Sequence, residues 1–217
     1  MSWQDYTLDT FIAPGLSRLK TCSAPEIPAL PNYLGSLYLN QILGKRYEEA
    51  TIISIANAIR RTSFAITNYR AGRQHLLTYV ESLPDQKISD YFQALSYFET
   101  CILHTYTVMV LFKNIFPKNG EIAKHIITNE DSLKKFSNKI KHFDDDIKNH
   151  YEKVAVFPLN PIWITGDGID CIEPKDSSNW SISFCDIAEK LKSLADISRI
   201  LSERVPEMIL AAQSGLN

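Results

Sequence analysis

The sequence predicts an all-α domain in the main, an antiparallel up-down bundle of four to five helices with a small β-hairpin inserted before the last one. Three observations carry this. Apolar residues recur at three- and four-residue steps over long stretches, only one stretch (154–172) turns to β-branched residues around a Gly-Asp-Gly turn, and glycine and proline number just 8 and 10 in 217 residues. With 45% hydrophobic residues there is ample material for a core, and the length fits one embellished domain better than two.

Residues 1–40 hold Pro14, Pro25, Pro28 and Pro31 among scattered apolar residues such as Phe11, Leu16, Leu30 and Tyr33. That pattern predicts an extended N-terminal arm packing on the body, which then runs from 41 to 217. From Gln41 a helical spacing sets in through Leu43, Tyr47, Ala50, Ile52, Ile55, Ile59 and Ile66, without proline until Pro84. It predicts one long helix, or two broken near Gly72. A second long helix is expected from an N-cap at Ser89 through Tyr91, Leu95, Phe98, Ile102, Thr105, Met109 and Phe112 to Pro117. Being apolar on several faces, it should be central. After Gly120 a third helical stretch culminates in Leu133, Phe136, Ile140, Phe143 and Ile147, a single apolar stripe. The hairpin is expected at about 154–172, from Val154, Val156 and Phe157 and from Ile162-Trp163-Ile164-Thr165-Gly166-Asp167-Gly168-Ile169. Residues 173–182 read as a polar loop. Ser183 and Asp186 resemble a capping box for a last helix striped by Phe184, Ile187, Leu191, Leu194, Ser198, Leu201 and Val205.

Composition narrows the function classes. A net charge of -2 and a pI near 6.2 give no global attraction to nucleic acid, so an RNA contact would need a local patch. The cysteines Cys22, Cys101, Cys171 and Cys185 form no C-x-x-C pair, and the N-terminus shows no basic-then-apolar signal layout. A cytoplasmic protein is expected, with no membrane partner. The most apolar run, Cys101 to Phe112, is shorter than the roughly 20 residues that span a bilayer. There is no G-x-S-x-G elbow, Walker loop or G-x-G-x-x-G, and Gly166-Asp167-Gly168 reads as a turn. His142, Asp146 and His150 recur every four residues, but successive four-residue steps drift by about 40° around a helix and do not converge on one ion. We therefore expect neither metal nor cofactor. Glu99, inside the central helix, reads as a partly buried carboxylate able to face His104, Asn138 or His142.

The most informative segment is Phe136-Ser137-Asn138-Lys139-Ile140-Lys141-His142-Phe143-Asp144-Asp145-Asp146. At about 100° per residue, Asn138 and His142 lie together, nearly opposite the apolar stripe. An amide one turn below an imidazole can fix its tautomer, and a histidine titrating near neutrality can move a proton in RNA cleavage. An ordinary solvated face has the same appearance.

The run from Asn138 to His142 resembles the motif of the HEPN superfamily, in which an arginine, commonly followed by asparagine, precedes a histidine by four to six residues in a helical bundle. Pro161 to Ile169, with a final helix after it, is similar to the stretch downstream of that motif in some HEPN-like proteins. The resemblance implies a homodimer whose two motifs face each other across a cleft, RNA or a partner protein as ligand, and in active members a metal-independent ribonuclease. It would make His142 and Asn138 the catalytic candidates; Lys139 and Lys141 are binding candidates as point charges on other helix faces, and Glu99 is a further binding candidate from its place in the central helix alone. Ser137 stands where the family has arginine, which removes a bidentate phosphate donor. Asp144, Asp145 and Asp146 would repel a phosphate backbone further. The expectation is a HEPN-like binding or regulatory module that no longer cleaves, in a defence or toxin–antitoxin setting. The alternatives are an active ribonuclease using His142 and a structural dimerisation domain without ligand. A literal Arg-x4-His also occurs from Arg70 to His75, near Arg60 and Arg61, but without the asparagine.

Overall fold

Helices dominate because the three- and four-residue spacing runs through most of the chain, and a small antiparallel sheet interrupts them once. The computed structural model describes residues 3–44, 47–82, 87–116, 130–142, 161–173 and 178–203. Helix α1 (Trp3–Thr7) leads into a π turn (Leu8–Ile12) and a 3₁₀ turn (Leu16–Arg18), and residues 19–32 then run without helix or strand. Helix α2 (Tyr33–Ile42) comes next. Its start lies inside the stretch expected to be extended, because Asn32 caps it: the side-chain oxygen accepts the Gly35 N–H at 3.1 Å. Gly44, at φ +93°, turns the chain out of it, so Leu43 and Tyr47 lie between helices rather than within one.

Helix α3 (Glu49–Glu81) runs unbroken through Gly72, and α4 (Ile88–Ile115) begins one residue before the expected cap at Ser89. Gly72 is where the two helices approach closely. A Cβ there would lie 3.2 Å from both the Ala94 carbonyl oxygen and the Phe98 ring. Tyr79 packs on Tyr91, Tyr69 on Phe98, and Arg61 reaches His104, so α3 and α4 run antiparallel. By length and composition α4 could cross a membrane, with 44% of its apolar window buried inside the fold.

Helix α5 (Glu130–Lys141) packs on α4. Three strands come after it, β1 (Ile162–Ile164), β2 (Gly168–Glu173) and β3 (Ser178–Ser183), antiparallel in the order β1-β2-β3. Trp163 stands opposite Asp170, and Cys171 opposite Trp180. The expected hairpin is thus extended by a third strand, formed from the stretch read as a polar loop. Exposed Asn179 and Ser181 alternate there with half-buried Trp180 and buried Ile182, a two-residue period diluted by serine and asparagine. Residues 154–160 of the expected hairpin lie outside the described residues.

Helix α6 (Phe184–Glu203) starts at the expected cap: Ser183 Oγ accepts the Asp186 N–H at 3.0 Å and donates to its carboxylate at 2.7 Å. Phe184 packs on Phe98 at 4.8 Å, and Tyr91 Oη accepts the Ile164 N–H at 3.1 Å, joining α6 and the sheet to α4. The N-terminal segment lies on this body. Ala24 and Ile27 are buried, and the carbonyls of Pro25 and Ala24 accept from Tyr69 Oη and Arg73 Nε at 3.0 and 2.9 Å.

Candidate functional site

The site builds on α5. Glu130 and Asp131 open the helix while Lys139 and Lys141 close it, each charge at the end of the helix dipole that favours it. Leu133 and Phe136 are fully buried, Lys113 of α4 pairs with Glu130, and the Lys135 ammonium stands 5.1 Å from the Trp180 ring. The helix is therefore fixed on one side by α4 and on another by β3.

Asn138 and His142 are both exposed on the remaining side, where the helical angles place them. The His142 N–H donates to the Asn138 carbonyl at 3.0 Å, extending the helical bonding to the residue after α5. Lys141 is exposed, with its ammonium 5.7 Å from the Tyr106 ring. Glu99 is half-buried on α4, and its charge adds to the burial that raises the Tyr91 phenol. His104, one of the groups Glu99 was expected to face, reaches Arg61 instead.

Two residues of the motif segment are packed inward. Lys139, a candidate to supply charge from another face of the helix, is only 5% exposed, so the buried arc of α5, which packs on both α4 and β3, is wider than the apolar stripe. Ser137 is completely buried, and its hydroxyl has no hydrogen-bond partner among the described residues. The position that carries arginine in the resembled motif thus points into the packing here.

Arg70 and His75 are not brought together. Arg70 is exposed beside a cavity of about 280 Å³ lined also by Glu26, Arg73 and Gln74, whereas His75 Nδ1 stands 2.9 Å from an Asp90 carboxylate oxygen with its ring stacked on Tyr97. Asp144, Asp145, Asp146 and His150 lie outside the described residues, among which no three potential metal ligands gather. A cluster that residue spacing did not reveal is Arg60, Arg61, Phe64 and His104 on the α3–α4 seam. Arg60-Arg61 and Phe64, one turn on, were the visible half; His104 comes from another helix.

No family model, no curated protein and no solved structure matches this chain.

Proposed function

We propose that the chain is a HEPN-like module that binds single-stranded RNA through the outer face of α5 and does not cleave it. The observation that carries this reading is how α5 divides the motif segment: Asn138 and His142 face outward, one turn apart, while Ser137 is buried at the position of the motif arginine. Cleavage of a phosphodiester needs a proton carrier and a fixed cation on the developing charge. This face offers the first in His142. Of the nearby lysines, Lys139 is packed away and Lys141 lies over Tyr106, so neither replaces a guanidinium fork.

In this reading α3 to α6 form an antiparallel up-down bundle, and a second copy of the chain sets its own Asn138 and His142 across a dimer cleft. The protein works in the cytoplasm, in a defence or toxin–antitoxin setting; that context rests on the family resemblance alone. A second reading, a structural dimerisation domain without ligand, is favoured by exposed apolar side chains along α2 and the start of α3, with Leu39, Ile42 and Ile53 at 57, 76 and 55%.

Fluorescence anisotropy of a labelled single-stranded RNA separates the two. An Asn138→Ala/His142→Ala variant should bind about tenfold more weakly, through loss of one or two polar contacts, with an unchanged melting temperature because both side chains are exposed. Equal affinity in the variant and the parent chain contradicts the assignment of RNA binding to this face of α5, and no binding by either contradicts the RNA-binding reading and leaves the structural one.

A further inference from the structure

The α3–α4 seam carries a second polar cluster that the α5 reading does not use. Arg61 reaches across from α3 until Nη1 stands 3.3 Å from Nδ1 of His104 on α4. A guanidinium can only donate, so Nδ1 accepts, and the neutral ring carries its proton on Nε2, a second donor. Burial first, then Arg61 and Arg60, push this histidine below its ordinary value and hold it neutral. Its ring lies 5.6 Å from Phe64, which is 44% exposed, and the Arg60 guanidinium stands 5.7 Å from the same Phe64 ring. Arg60 is steadied by the side-chain oxygen of Asn57 at 3.3 Å.

The chain holds 25 acidic residues against 23 basic ones, yet among the described residues no carboxylate lies in ion-pair range of Arg60 or Arg61. Both guanidinium groups lie near enough to His104 to act on it as positive charges, and an oxyanion received between them would use their forked donors. About four turns along the same seam, His75 has the opposite setting, with Asp90 against its ring nitrogen, which disfavours an anion there.

We propose that Arg60, Arg61 and His104 form a binding site for a phosphate-class oxyanion, with Phe64 offering its exposed ring to a planar group attached to that anion. Two cations supply charge, the imidazole supplies a directed neutral donor, and the ring adds stacking area. Inorganic phosphate and a nucleoside monophosphate share the oxyanion, and only the second uses Phe64. The site stands apart from the α5 reading, so loss of RNA binding at Asn138 and His142 leaves it untouched.

The test tracks the imidazole nitrogen–proton correlations of the full chain, assigned through single His→Gln variants. Sodium phosphate and adenosine monophosphate are added in separate titrations, with chloride holding the ionic strength constant. The His104 signals should move along a saturating curve with both ligands while those of His75 stay in place. Arg60→Gln/Arg61→Gln should raise the dissociation constant for inorganic phosphate about tenfold or more, and Phe64→Ala should weaken the nucleotide alone. Unshifted His75 signals show that the double variant is folded; should it unfold, Arg60→Gln alone, at an exposed side chain, is expected to weaken phosphate severalfold. A His104 shift that grows linearly with phosphate, or that saturates at the same concentration in the variant, overturns the site. A nucleotide curve unaffected by Phe64→Ala overturns the role of that ring.

Discussion

Ser137 shows how much one side chain's direction decides. The hydroxyl is fully buried without a partner among the described residues, an arrangement that costs stability, since a desolvated polar group has given up water for nothing. Ser137→Ala should therefore stabilise the protein by about 1 kcal/mol in denaturant unfolding. Ser137→Arg should destabilise it by at least about 3 kcal/mol, because the larger charged group must enter the packing of α5 on its neighbours. If Ser137→Arg were as stable as the parent chain, the position would be open to the surface rather than packed inside. The outward direction of Asn138 and His142 was legible from 100° per residue alone. The burial of Lys139 was not: its angle lies on the flank of the stripe, and whether a flank is covered depends on the elements packed around α5, which the helix's own spacing does not encode.

At the scale of elements, the long helices and the capping of α6 could be read from spacing, since each depends on residues within a few positions of one another. Helix α2 was missed although Tyr33, Leu34, Leu37, Tyr38 and Ile42 keep three- and four-residue steps: Pro25, Pro28 and Pro31 just upstream pointed to an extended arm, and the start is set by a single cap at Asn32. Strand β3 was hidden because its alternation is carried by one tryptophan and one isoleucine among polar residues. That strand nonetheless matters to the site, because Trp180 receives Lys135 of α5. The sheet depends on Gly168, where a Cβ would come within 2.2 Å of the Ile182 carbonyl oxygen and 2.9 Å of the Ser183 Cα. Backbone atoms cannot yield as a flexible side chain does. Gly168→Ala should cost about 3 kcal/mol, visible as an earlier unfolding midpoint, while a cost under about 0.5 kcal/mol would show that β2 and β3 are not paired as described.

At the scale of the whole molecule, the α3–α4 hairpin is the frame on which the rest is hung. It receives α5 on one side and α6 on another, and residues 23–27 of the N-terminal segment lie along α3, tied by Tyr69 and Arg73. Pairs that meet across the hairpin, such as Arg61 with His104 or His75 with Asp90, are 43 and 15 residues apart. Spacing within one helix carries no information on such meetings, so the seam cluster appeared only with the fold. The proposed function makes one demand on the whole assembly: a face with an outward histidine and no fixed arginine should hold RNA without breaking it. The decisive measurement is metal-free incubation of the purified chain with end-labelled single-stranded RNA, resolved on a denaturing gel. Intact RNA is expected for both the parent chain and His142→Ala, whereas cleavage by the parent chain that His142→Ala abolishes would refute the proposal.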